Sequence, residues 1–131
     1  MSDEVRDVLL SEQLDPTSPA YVNARLYELE QFFQEMPDLL ESIEGAHDEA
    51  TEAHLLAEAW AQLEADGKTA ADREAQVFLK TAESRKVLQA AKSALRHAKA
   101  RVKARSEEKD TLITRSVNLR REMDLSGRGR P

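Results

Sequence analysis

The charge on this chain is divided between its two halves, and the boundary falls on a turn. Residues 1–66 hold 17 acidic and 2 basic side chains, a net of −15, and residues 67–131 hold 17 basic and 8 acidic, a net of +9. Asp66-Gly67-Lys68 separates them and is the one strong turn signal between two long helical patterns. An acidic arm, a turn and a basic arm can fold back on each other. The basic arm can equally meet an anion from outside.

Length allows one domain at most. Aromatic residues make up 5% and charged residues 34%, a mix that at helical spacing points to long helices or coiled coil rather than a thick core. A lone hairpin of this kind leaves apolar surface in water, so a homo-oligomer is expected. Cysteine is absent, which removes disulfides and thiolate metal sites. The acidic start Met1-Ser2-Asp3-Glu4 lacks the apolar region of a signal peptide. No apolar run approaches the roughly 20 residues that cross a bilayer. The expectation is a cytoplasmic protein with no membrane contact.

Residues 3–14 read as a short amphipathic helix with Val5, Val8 and Leu9 on one face, ended by Asp15-Pro16. Ser18 caps the next helix and Pro19 fits its first position. The acidic arm, 19–66, carries Val22, Leu26, Leu29, Phe33, Met36, Leu40 and Ile43 at alternating spacings of four and three, an a/d seam. Pro37 should kink or divide it. After Ile43 the seam is expected to shift frame to Ala46, Ala50, Ala53, Leu56, Trp60 and Leu63.

Thr69 with Asp72 resembles a capping box opening the basic arm, 69–124. Leu88, Ala91, Leu95, Ala98 and Val102 form its seam, and Leu112, Leu119 and Met123 resume it after Arg105 and Lys109. As one helix this arm is about 84 Å long. It should fade near Leu125, leaving residues 126–131 as a disordered tail. The fold class is all-α: a long antiparallel helical hairpin (coiled coil) with a short N-terminal helix, a single domain over 1–125. Folding at Gly67-Lys68 sets Leu40 against Leu95, Phe33 against Val102, Leu56 against Leu79, Val22 against Ile113 and Ala53 against Ala82.

Arg85, Lys92, Arg96, Lys99 and Lys103 form one stripe about 90° from the seam on a helical wheel. Glu30, Glu41, Glu44, Asp48 and Glu52 flank the acidic seam on the matching side. In an antiparallel pair these stripes meet, as a salt-bridge border that fixes orientation. Arg101, Arg105, Arg115, Arg120, Arg121, Arg128 and Arg130 are left without an obvious acidic partner. They read either as a solvated face and tail or as a phosphate-binding footprint, since Arg presents a planar fork to phosphate. Phe78 is the one aromatic of the basic half, so such binding would follow the backbone and tolerate any sequence.

No catalytic constellation, cofactor site or metal site emerges. Gly67-Lys68-Thr69 lacks the glycine of a P-loop, having Gln62 in its place. Glu44 and His47 have the spacing of a di-iron motif, but no second copy accompanies them. His47 and His54 read as polar seam residues and Trp60 as a core plug.

The run from Ala65 to Ala75, Ala-Asp-Gly-Lys-Thr-Ala-Ala-Asp-Arg-Glu-Ala, is followed by a charged Ala-rich helix ending near Arg120-Arg121-Glu122-Met123. This resembles small helical-hairpin proteins of tailed bacteriophages, and the layout of residues 20–124 is similar to recombination mediators of the UvsY type. The resemblance implies an oligomeric accessory protein of phage recombination or replication. It would bind single-stranded DNA and a recombinase or annealing protein in the cytoplasm of an infected or lysogenic bacterial host. The acidic first arm departs from that pattern. The rival expectation is a protein-interaction or assembly module, a scaffold, chaperone or inhibitor of a host protein, whose charges serve only helix pairing.

Overall fold

The computed structural model describes residues 8–128 of the chain. Among them all regular structure is helical: a 3₁₀ turn at Leu10–Gln13, α1 at Pro19–Glu64, α2 at Ala70–Lys80 and α3 at Ala82–Arg128. Among the described residues no helix is long and apolar enough to cross a membrane. Two compact units divide the chain, one formed by residues up to Met36 with those from Val102 on, the other by Pro37–Arg101.

The start of α1 follows from its sequence. The Asp15 carboxylate accepts from the Thr17 amide at 2.9 Å and hydroxyl at 2.8 Å, closing a turn. Ser18 Oγ accepts from the Tyr21 amide at 3.2 Å, and Pro19 takes the first helical position. Pro37 does not divide the helix, because α1 continues through it. The short helix expected over 3–14 is, in its described part, a single 3₁₀ turn. The Glu28 carboxylate holds Ser11 in place there, which favours a tight turn docked on α1 over a longer free helix.

Burial along α1 repeats every seven residues without a break. Val22, Leu29, Met36, Ile43, Ala50 and Ala57 form one buried or half-buried series, and Leu26, Phe33, Leu40, His47, His54 and Ala61 form the other. The expected frame shift after Ile43 is therefore absent. Leu56 and Trp60 are each 59% exposed and Leu63 is 78% exposed, so Trp60 is no core plug. The seam holds its frame by accepting small and polar residues. His54 Nδ1 lies 2.9 Å from Ser84 Oγ and its Nε2 lies 2.8 Å from Glu58, which satisfies a ring that could not otherwise be covered.

The second half follows the same rule. Thr81, Leu88, Leu95, Val102, Lys109 and Ser116 form one series, with Ser84, Ala91, Ala98, Arg105, Leu112 and Leu119 beside it. Arg105 and Lys109 hold seam positions, and the Lys109 ammonium lies 5.4 Å over the Phe33 ring. Three expected pairings fail. Ala53 and Ala82 are both exposed, as are Leu56 and Leu79. Ile113, expected against Val22, is 44% exposed, and Leu112 packs with Val22 and Leu29 instead. One residue is a rotation of about 100°, enough to carry Ile113 off the seam.

The basic arm is two helices, not one. At Thr81 the side-chain hydroxyl donates to the Val77 carbonyl at 2.7 Å, and the residue leaves the helical region with ψ near 10°. Hydroxyls that bond back to the previous turn loosen the ladder there. The Arg85 guanidinium covers the break, donating to the Phe78 carbonyl at 3.1 Å and lying 3.7 Å over the Phe78 ring. α2 buries no side chain. The register already departs from one counted straight out of the turn before this break, since Lys80 meets Glu64. At the other end α3 runs through Ser126 and Gly127 to Arg128, past the point where a disordered tail was expected. Residues 129–131 lie outside the described residues.

Gln76 latches the turn. Its side-chain oxygen accepts from the Asp66 and Gly67 amides at 3.0 Å each, and its amide donates to the Asp66 carboxylate at 2.8 Å. Thr69 caps α2 by accepting from the Asp72 amide at 3.1 Å. Gly67 is required by close approach, since a Cβ there would lie 2.7 Å from Asp72 Cβ and 3.1 Å from the Arg73 amide.

Two outcomes follow in urea melts read by circular dichroism. Leu112→Ala should cost about 2–5 kcal/mol, whereas Ile113→Ala should cost less than about 1 kcal/mol. Equal costs would reject the observed seam. Gln76→Ala should cost roughly 1–2 kcal/mol through the lost latch.

Candidate nucleic-acid interface

The cations expected to contact phosphate are not equivalent. Arg105 is half-buried and pairs with Glu108 at 3.1 Å. Arg115 donates to the Pro16 carbonyl at 2.7 Å. Arg101 is exposed but belongs to the unit of Pro37–Arg101, whereas Arg105, Arg115, Arg120, Arg121 and Arg128 fall in the first unit. Arg120 and Arg121 are exposed and have no hydrogen-bond or ion-pair partner among the described residues. Arg128 closes α3, and Arg130 lies outside the described residues. Arg105 and Arg115 are thus spent on internal contacts.

Those contacts belong to a polar node in the first unit. Arg25, one of two basic residues in the acidic half, donates from Nε to Glu108 at 2.7 Å and from Nη2 to the same carboxylate at 3.1 Å. Its remaining nitrogen reaches Glu28 at 3.3 Å, and Glu28 accepts from the Ser11 amide at 3.1 Å and from the buried Ser11 hydroxyl. The pair inverts the sign of the two halves: the cation comes from the acidic arm and the carboxylate from the basic one. Sequence reasoning missed it by treating each arm as a single charge. Its signal was an isolated Arg25 within a run of acids. A shallow cleft of about 540 Å³ beside the node is lined by Ser11, Pro16, Tyr21, Arg25, Arg105 and Glu108. Its cations already face carboxylates, so it offers little to an outside anion.

The node perturbs its own titration. The Arg25 hydrogen bonds, opposed by burial and aided by the charges of Arg25 and Arg105, hold the Glu108 carboxyl below its ordinary value. Burial pushes the Glu28 carboxyl up, but the Ser11 hydroxyl and amide together with Arg25 outweigh it and leave it lowered.

The expected salt-bridge border is not formed. Lys92, Arg96, Lys99 and Lys103 are exposed and make no ion pair among the described residues. Glu30, Glu41, Glu44 and Glu52 make none either, and Asp48 meets only His47, at 3.7 Å. Exposed pairs of long side chains gain about 0–1 kcal/mol, too little to hold them together. Arg85, the remaining member of the stripe, is committed to Phe78 and Thr81. In the unit of Pro37–Arg101 this leaves Lys92, Arg96 and Lys99, spaced four and three, as an unpaired basic stripe along α3. Sequence reasoning had assigned these three to pairing and omitted them from the anion site.

Glu108 and Glu28 are lowered in the folded chain, so the unfolded chain takes up protons first as pH falls. Their contribution is present above the ordinary value of 4.5 and is lost as pH drops through the lower folded values. Melting temperature should therefore fall on acidification below about pH 4.5. Glu108→Gln should melt lower than wild type at pH 7 and show a shallower acid decline. An unchanged acid slope would remove Glu108 from the account.

No protein-family profile, curated protein or solved structure matches this chain.

Proposed function

We propose that this protein is a non-enzymatic accessory factor that binds single-stranded nucleic acid through the exposed cations of α3. The observation that carries the reading is the unpaired stripe Lys92, Arg96 and Lys99, with Arg120 and Arg121 also unpartnered among the described residues. A basic stripe satisfied by the acidic arm would have needed no outside ligand. This one is charged, exposed and unneutralised by contact. Phosphate contacts of this kind give affinity without sequence preference. Phe78 is the one aromatic of this half and already carries Arg85 over its ring, so base stacking is limited to what Phe78 leaves exposed.

The architecture proposed with it is an antiparallel helical hairpin of coiled-coil type. Seven-residue spacing of buried positions in α1 and α3 supports it. So does the opposite sense of the contacts within each unit. Arg25 meets Glu108 and residue 16 meets 115 in one, while His54 meets Ser84 and Glu64 meets Lys80 in the other. The layout resembling UvsY-type mediators suggests the setting: a phage recombination or replication factor working beside a recombinase or annealing protein in the host cytoplasm. A second reading, a protein-interaction or assembly module, is favoured by the exposed apolar residues Leu56, Trp60 and Leu63.

Fluorescence anisotropy with a labelled single-stranded oligonucleotide tests the first reading. Affinity should fall steeply with salt and be similar for unrelated sequences. Replacing Lys92, Arg96 and Lys99 by Gln should reduce the salt slope by about 2, at roughly 0.7 per lost phosphate contact. The melting temperature should stay within a degree or two, because none of the three has an ion-pair partner to lose. Absence of binding at low salt would leave the interaction-module reading.

A further inference from the structure

Leu56, Trp60 and Leu63 stand at i, i+4 and i+7, so they form one stripe on α1, about 120° round the helix from the buried series Ala50, His54, Ala57 and Ala61. All three are more than half exposed. The stripe lies in a segment without compensating charge: residues 37–66 hold nine acids and no Lys or Arg. On α3, Val87 and Ala94 form an exposed apolar stripe about 80° from the buried series, rotated in the same sense as the α1 stripe. In an antiparallel pair, equal senses of rotation fall on one face. Lys92, Arg96 and Lys99 are rotated in the opposite sense, onto the other face. Residues 82–101 hold six bases and one acid, a net of +5.

We infer that Leu56, Trp60 and Leu63 dock on the Val87 and Ala94 stripe of a second copy of this chain, and reciprocally, in a two-fold dimer. A two-fold interface must be self-complementary, with each stripe meeting the other stripe of the partner. Charge selects this pairing. Placing α1 on the partner's α1 sets Glu49 and Glu52, which border the stripe on its own face, against their own copies, whereas the α3 face around Val87 and Ala94 carries one acid and one base, Glu83 and Arg101. The inference stands apart from the nucleic-acid reading, because the basic stripe lies on the opposite face and stays free in the dimer.

Trp60 is the one tryptophan of the chain and reports on the contact directly. Sedimentation equilibrium of the full chain should give a dimer at micromolar concentration. Trp60 emission should be blue-shifted there and move to the red on dilution, in step with dissociation. Leu56→Glu/Leu63→Glu and, separately, Val87→Glu should each weaken association by about tenfold or more, with helicity by circular dichroism unchanged. The Val87 variant separates the two pairings: a dimer that survives it while failing with the α1 variant would overturn docking on α3. A monomer at all concentrations, or a dimer in which Trp60 emission remains that of a water-exposed indole, would overturn the inference altogether. Anisotropy with the labelled oligonucleotide reads the other face, so loss of nucleic-acid binding and loss of the dimer are separate results.

Discussion

The seven-residue spacing of the buried side chains is the constraint on which the rest of this molecule depends. A helix has one rotational freedom about its axis, and the series through Val22, Leu29, Met36 and Ala50 uses it. Once those positions face inward, every other side chain of α1 has an assigned direction. Leu56, Trp60 and Leu63 are then turned outward despite their size, because moving them in would turn Ala50 and Ala61 out. α3 answers with the series through Leu88, Ala98 and Leu112. The seam is narrow, and burying a large side chain contributes only about 1.5–3 kcal/mol. Few such residues are fully covered, so association with a second copy would add substantially to stability.

The charges are subordinate to that seam. Two halves at −15 and +9 invite the picture of arms drawn together by attraction, yet the best-buried cross-segment ion pair runs against it. Arg25 and Glu108 are each the minority sign in their own half. Their worth lies in geometry: a guanidinium fork gripping one carboxylate at two nitrogens fixes rotation and axial position in a way scattered surface pairs do not. Glu28 and Ser11 extend the same grip to the chain before α1. Removing either charge would leave the other half-buried with one partner in place of two, Arg25 with Glu28 or Glu108 with Arg105, and without the two-nitrogen grip. The bulk of the charge is not spent on holding the fold and is available to set solubility, partner choice and attraction of anions.

What could be read from sequence divides along the same line. The all-helical class, the Ser18-Pro19 start of α1 and the turn near Gly67 were legible because each rests on local chemistry. The continuation of the seam past Ile43 was not, because His47, His54 and Ala57 do not look apolar enough to mark a core. His54 qualifies only through Ser84 and Glu58, partners that sequence order does not announce. Large residues nearby drew the assignment to the wrong flank. The break at Thr81 was missed for a similar reason: threonine is ordinary in a helix until its hydroxyl claims the Val77 carbonyl. The candidate anion site was half legible. Its residue type was clear, but Arg105 and Arg115 could be known as internal ligands only once Glu108 and Pro16 were seen beside them.

Separating the two exposed stripes by rotation has a physical consequence for any function this chain performs. An apolar stripe bordered by acids and a basic stripe on the same face would compete, since a partner drawn to one would screen the other. In the proposed antiparallel pair the apolar stripe of α1 and the basic stripe of α3 turn in opposite senses from the seam, so a partner on one would leave the other in water. A two-fold axis through the apolar face would also place two basic stripes on the outside of one particle. Under the proposed function, contacts to a nucleic-acid backbone would then be bivalent, with the second made at the high effective concentration set by the first. Three unpaired cations are a weak ligand for a single strand. Two sets of three, held at a fixed separation by a stiff helical body, are a far stronger one.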